Sequence, residues 1–138
     1  MRVRHRQGRG DSRGERINMK IYAVRGAITV DGNTVEEITR RSVELIKKMI
    51  ENNKFDEAVS LVISTTKDIT AVYPAKAVRE SGLIDVPLFS CTEPDIDGSL
   101  PLCIRMLLTV CSSCDTVARH AYLRGAAALR KDLADENI

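Results

Sequence analysis

Two periodicities alternate along this chain, and the switches between them mark its elements. Lys20–Val24, a short apolar run behind Lys20, predicts a strand. Arg25-Gly26-Ala27 then leads into a second apolar stretch that closes on the turn Asp31-Gly32-Asn33. From Thr34 the period lengthens to that of a helix, with Val35, Ile38, Leu45, Ile46, Met49 and Ile50 on one face. Thr34 and Glu37 stand at the N-cap and N3 positions of a capping box. Arg40, Arg41, Glu44, Lys47, Lys48 and Glu51 fall on the opposite face, predicted to be largely solvated, and the helix is expected to stop near Asn52-Asn53. Ala58–Thr65 predicts a second core strand. Pro74 suits the first position of a short helix, Ala75–Glu80, that Ser81-Gly82 would stop. Val86–Cys91 predicts a third strand, residues 93–98 a loop, Cys103–Val110 a fourth strand and Val117–Leu123 a fifth. A small-residue stretch, Gly125–Leu129, and a polar end follow. Strands outnumber helices and only one helix is long. The predicted class is therefore mixed α/β (α+β), a sheet packed on one long helix with short helices beside it.

Arg105 interrupts this pattern. It is a permanent cation inside the apolar, β-branched run Cys103-Ile104-Arg105-Met106-Leu107-Leu108-Thr109-Val110. Two readings stand: an exposed strand whose long side chain snorkels to water, or an anion site walled by the sheet. Alternation groups Arg105 with Cys103 and Leu107 on one face, and Ile104, Met106 and Leu108 on the other.

Composition narrows the chemistry. The 138 residues suffice for one domain with a real core, and 43% apolar with 29% charged residues is ordinary for a globular chain. Scarce aromatics (4%, no Trp) argue against base-stacking nucleic-acid surfaces. No stretch reaches the ~18 apolar residues of a membrane span. The formal charge of +2 divides unevenly. Residues 1–18 carry six Arg against Asp11 and Glu15, so the remainder is net acidic. That Arg/Gly-rich tail, with almost no apolar residues to build a core, predicts disorder. Met19 directly precedes the first strand, so the tail reads as a misassigned start or a dispensable extension, with an electrostatic nucleic-acid tether as the other reading. The Arg9-Gly10-Asp11 tripeptide is read as chance. Cys91, Cys103, Cys111 and Cys114 offer one CxxC spacing with no second pair at zinc-ribbon distance, and only His5 and His120 could add nitrogen ligands. Reduced cytoplasmic thiols are expected, with no metal site.

The remaining chemistry is rich in arginine and poor in nucleophiles. Arg25 sits before Gly26, Lys76 and Arg79 share the short helix, and Arg130 follows the apolar 126–129. Tyr122 lies beside His120, and Glu93 opens the loop before Arg105. No nucleophile elbow, His–acid pair, P-loop or GxGxxG is present. Such a set suits a small polyanionic ligand held by guanidinium forks.

The ordered segments Val24-Arg25-Gly26-Ala27, Tyr73-Pro74-Ala75-Lys76-Ala77-Val78-Arg79-Glu80, Val86-Pro87, Glu93 with Asp95, and Gly98-Ser99-Leu100-Pro101 with Cys103-Ile104-Arg105 carry a resemblance. Arg119-His120-Ala121-Tyr122-Leu123 and Ala128-Leu129-Arg130 complete it. Over about residues 19–133 the chain resembles the small monofunctional chorismate mutases of the bacterial trimeric α/β type. The resemblance implies isomerisation of chorismate to prephenate, on the route to Phe and Tyr, without cofactor or covalent intermediate. It implies a cytoplasmic homotrimer of pseudo-α/β-barrel form with active sites between subunits, and no nucleic-acid or membrane partner. It leaves residues 134–138 as a C-terminal tail.

By the same resemblance, Arg105 stabilises negative charge on the ether oxygen. Arg25 and Tyr122 bind carboxylate, Arg25 also near that oxygen, and Glu93 accepts the ring hydroxyl. Tyr73, Ala75, Lys76, Arg79, Leu129 and Arg130 form pocket walls or closing groups. Tyr73 stands where the family usually has Phe, and Lys131 where Pro is frequent. Ungapped alignment puts Ser90 at the family's pocket cysteine, and alternation would then turn Cys91 away from the ligand, whereas a local bulge would reverse the two. The competing reading is a non-catalytic trimer that binds a small anionic metabolite.

Overall fold

A computed structural model describes residues 18–130. The expectations about the tail (residues 1–17), Lys131 and residues 134–138 lie outside the described residues. Strand β1 (Lys20–Thr29) is followed by helix α1 (Val35–Glu51), β2 (Glu57–Thr65), helix α2 (Pro74–Ser81), β3 (Leu88–Thr92), β4 (Cys103–Ser112) and β5 (Ala121–Leu123). A 3₁₀ turn, Arg124–Ala127, comes next. The strands form one mixed sheet in the order β3-β2-β4-β1-β5. β4 runs antiparallel to both β1 and β2, while β2–β3 and β1–β5 are parallel pairs. The predicted class is therefore the observed one.

Both helices cover one face of the sheet. Val24, Ile28, Leu61, Ile63, Ile104, Leu108 and Val110 point into that layer and meet Ile38, Leu45, Ile46 and Met49 of α1 with Val78 of α2. Each of these twelve side chains is removed from water, and each contributes about 1.5–3 kcal/mol of transfer free energy.

The two apolar stretches expected on either side of Arg25-Gly26 form one ten-residue strand. Gly26 is needed inside it for packing. A Cβ there would lie 2.4 Å from Met49 Sδ and 3.1 Å from Leu45 Cδ1, because α1 crosses the strand at this point. Gly26→Ala is expected to lower stability by about 1–3 kcal/mol, the usual cost of overpacking a filled core. Urea unfolding reads this as a shifted midpoint, and an unchanged midpoint would mean that Met49 yields without cost.

Thr34 caps α1 by accepting the Glu37 N–H at 3.1 Å. The reciprocal half of the capping box differs from expectation: the Glu37 carboxylate takes the Asp31 N–H at 3.0 Å instead of that of Thr34. That backbone bond is the leading reason why its pKa falls below the usual carboxylate value. Two further expectations for α1 are corrected. Val35 is half exposed and stays outside the core. Arg41 is buried, since its Nε reaches Glu37 at 2.9 Å, its Nη1 reaches Glu44 at 3.0 Å and its Nη2 lies 3.6 Å from Asp31. Helical periodicity put it on the wet side, but acids before it, one turn earlier and three residues later satisfy its fork.

α2 begins at Pro74 and stops at Gly82, whose φ of 72° needs glycine. β5 retains only three of the seven residues expected over 117–123.

Candidate active site

The register aligns one residue from each strand in a single row across the sheet: Cys91, Ser64, Arg105, Ala27 and Tyr122. Cross-strand partners share a face, and this row lies on the face opposite the two helices. A second row on that face runs Phe89, Val62, Leu107 and Arg25. Glu93 continues the first face two residues beyond Cys91, its N–H bonded to the Thr65 carbonyl at 2.8 Å.

Arg25, Glu93, Arg105 and Tyr122, which the sequence scatters over almost a hundred positions, thus line one cavity of about 200 Å³ with Ser64, Val62 and Leu107. Arg105 stands on the central strand, bonded on both sides, so its backbone is rigidly held. The start of that strand is fixed as well. Asp68 accepts the Leu102 N–H at 3.0 Å, and Thr66 Oγ1 accepts that of Cys103 at 2.9 Å. Leu102 adopts a left-handed φ of 48° there.

The Arg105 side chain points into the cavity. Its Nε is 3.6 Å from Glu93 Oε2, close enough for ion pairing but too long for a hydrogen bond. That Nε is buried and has no hydrogen-bond partner among the described residues. Glu93 is oriented by the Ser64 hydroxyl, which donates to the same Oε2. Tyr122 is half-buried. Burial pushes its phenol pKa up, partly offset by the charges of Arg25 and Arg105, so it enters neutral solution as a protonated donor. Burial likewise raises the thiol pKa of Cys103, packed against Ala27 and Ala126, which keeps it a neutral packing group. Among the described residues no cluster of His, Cys, Asp and Glu could hold a metal ion. The cavity offers two guanidinium groups, one carboxylate, one phenol and the Ser64 hydroxyl, which is engaged by Glu93. It can hold an anion with a hydroxyl, and among the described residues that line it there is no cysteine or histidine.

The other expected site residues lie elsewhere on the same chain. Tyr73 and Ser90 line a separate cavity of about 690 Å³ beside Ile63, Ile69 and Pro74. Tyr73 is largely exposed. Lys76 is on the outside of α2, paired with Glu80 at 2.9 Å, and Arg79 is exposed on that helix. Ala75 packs against the main core. Leu129 covers Ala27, Cys103 and Ala126, and Arg130 is exposed.

Ser90 and Cys91 both line the cavity beside Tyr73, and the sheet register places them on opposite faces. Ser90 pairs with Ile63, whereas Cys91 pairs with Ser64 and shares the face of Arg105. Alternation separates neighbours onto two faces, but only pairing with β2 decides which face each takes. Sequence reasoning missed Ser64, a polar position in the apolar strand Ser60-Leu61-Val62-Ile63-Ser64; its signal was the same as that of Arg105. It also gave no role to His120, whose Nδ1 accepts the Arg25 N–H at 2.9 Å.

The family model described as chorismate mutase type I matches residues 21–133. The chain belongs to the type I chorismate mutase family. It is 42% identical over 120 residues to chorismate mutase AroH of Bacillus subtilis, covering 84% of this chain and 94% of that one. It is 40% identical over 117 residues to chorismate mutase AroH of Thermus thermophilus, covering 82% and 96%. Among solved structures, a chorismate mutase from Clostridium thermocellum superposes with a TM-score of 0.70 at 38% identity. That match covers 78% of this chain and 98% of the other.

Proposed function

We propose that this type I chorismate mutase isomerises chorismate to prephenate in the cavity beside Arg105, by positioning and electrostatics alone. The observation that carries the mechanism is the meeting of Arg25, Glu93, Arg105 and Tyr122 in one small cavity of the family's fold. Chorismate is a flexible dicarboxylate that must be compacted into a chair before its ether C–O bond breaks and the new C–C bond forms. Arg25 and Tyr122 hold carboxylate and Glu93 accepts the ring hydroxyl, so part of the barrier is met before reaction. As the C–O bond lengthens, negative charge grows on the ether oxygen. Arg105, fixed on the central strand, stabilises that charge more in the transition state than in the ground state. All atoms stay in one molecule, and no proton acceptor or cofactor is required of the protein.

The working unit is a homotrimer. Ile21 (70% exposed), Phe89 (67%) and Leu107 (40%) stand on the sheet face that the helices leave bare. Covering that face with neighbouring subunits would bring the α2 side of one chain, with Tyr73, Lys76 and Arg79, toward the Arg105 cavity of the next. Ser90, Ala75, Leu129 and Arg130 are then walls or closing groups of the shared site. The functional domain is residues 19–133, working in the cytoplasm; no helix among the described residues is long and apolar enough to cross a membrane. A non-catalytic binder of a small anion would have no need to keep the Arg105–Glu93 pair together with Arg25 and Tyr122.

Purified full-length protein is expected to consume chorismate, followed by loss of its absorbance, with prephenate as the sole product. Binding without turnover would replace this reading by the non-catalytic one.

A further inference from the structure

We propose that His120 is a positioning residue for Arg25: its unprotonated Nδ1 holds the Arg25 peptide N–H and so fixes where that guanidinium enters the cavity. The inference rests on the reading of that cavity as the chorismate site.

β5 carries Tyr122, yet it is a three-residue strand at the edge of the sheet, paired to β1 alone. So short an edge has little stability of its own, and its position depends on what ties its ends. The exit is tied by Thr29 Oγ1, which accepts the Gly125 N–H at 2.9 Å, and by Glu44, which accepts from Arg124 Nε at 3.1 Å. At the entry, Asn53 clamps Arg119. Its Oδ1 accepts the Arg119 N–H at 2.8 Å, while its Nδ2 donates to the Arg119 carbonyl at 3.0 Å and to the Met49 carbonyl at 2.7 Å. The next residue is His120.

Parallel pairing of β1 with β5 begins only at Gly26 and Ala121. The Arg25 N–H, one residue earlier, therefore has no backbone partner on β5, and the imidazole supplies the acceptor. The connection runs from the C-terminal end of α1 through Asn53, Arg119 and His120 to the Arg25 backbone. It fixes the Arg25 backbone against the segment that leads into Tyr122.

An imidazole that accepts at Nδ1 carries its single proton at Nε2. Protonating Nδ1 would set a donor against a donor and a cation beside a cation. Burial first, and the charge of Arg25 second, push the His120 pKa below its usual value of 6.5. Arg25 is the charged group that β1 turns toward the ring; α1 presents the uncharged Asn53 to the adjacent peptide, and the Tyr122 phenol stays protonated. Because the folded-state value is depressed, the contribution is complete above the unfolded value and is lost as pH falls through the folded one.

The test is steady-state turnover of chorismate from about pH 4.5 to about pH 8, with wild type, His120→Asn and His120→Ala. Wild-type kcat should fall on the acid side with a one-proton inflection below the ordinary histidine value. In His120→Asn the amide oxygen can stand near the Nδ1 position and does not titrate there. That variant should keep neutral kcat within about threefold and lack the inflection. His120→Ala should lose about tenfold or more in kcat at neutral pH, as a misplaced positioning group does. Superimposable profiles for wild type and His120→Asn would overturn the proposal, as would a wild-type kcat in folded His120→Ala. If His120→Ala does not fold, the His120→Asn comparison decides. If wild type turns over no chorismate at any pH, the catalytic reading fails instead. The Arg25 amide resonance then decides the contact: it should titrate with His120 in wild type and not in His120→Asn, and a resonance that does not move would overturn it.

Discussion

Arg105→Ala is expected to lower kcat by about three orders of magnitude while chorismate still binds. Removing one preorganised donor from a developing oxyanion costs about 10²–10³ in rate, and Arg105 would supply a full charge as well as donors. The geometry favours so large an effect. The side chain leaves the central strand of the sheet, its Nε is shielded from water, and its nearest acid, Glu93, stands at 3.6 Å without closing a hydrogen bond. The guanidinium is therefore aimed into the cavity but not saturated. In the proposed mechanism carboxylate binding falls to Arg25 and Tyr122, so KM should change far less than kcat. Loss of chorismate absorbance gives both constants. Arg105→Lys should remain poor, because an ammonium offers a point charge without the planar fork. A kcat above about a tenth of wild type in Arg105→Ala would remove the electrostatic account.

Replacing Ile21 or Phe89 by glutamate should dissolve the proposed trimer and abolish turnover together. Both side chains lie on the sheet face that no helix covers, more than two-thirds exposed in the single chain. An apolar sheet face left bare marks an interaction surface. A carboxylate forced into such an interface without a partner is strongly disfavoured, and both substitutions lie outside the row that holds Arg105. The cavity of Arg105 with Arg25 and the cavity of Tyr73 with Pro74 at the start of α2 are separate in one chain, and in the proposed trimer they would form two halves of one site. Loss of assembly would leave each half alone. Light scattering after size exclusion reads the mass, and the chorismate assay reads the activity. An unchanged mass in both variants would show that this face does not hold the subunits together.

Where sequence reasoning succeeded, a local rule was sufficient. Thr34, Pro74 and Gly82 punctuate α1 and α2 as their backbone chemistry demands. The alternation around Arg105 correctly grouped it with Leu107 against Ile104, Met106 and Leu108. Where it failed, a distant partner had overridden a local rule. Arg41 looked solvated by period, yet Glu37, Glu44 and Asp31 close around it. Gly26 looked like a break between strands, yet it is the low point over which Met49 passes. Alternation left open which of Ser90 and Cys91 shares the face of Arg105, and pairing with Ser64 gives that place to Cys91.

The amino-acid sequence by itself determined the alternation of strands and helices, their punctuation, and the arginine-rich, nucleophile-poor chemistry, because each depends on residues within a turn or two of one another. Its ordered motifs also identified the family. Only the tertiary structure decided which side chains meet. The row from Cys91 through Ser64, Arg105 and Ala27 to Tyr122 exists because β4 lies between β1 and β2, and because two crossovers set parallel neighbours at its flanks. Hydrogen-bond register between distant strands creates that row, and no local pattern encodes register.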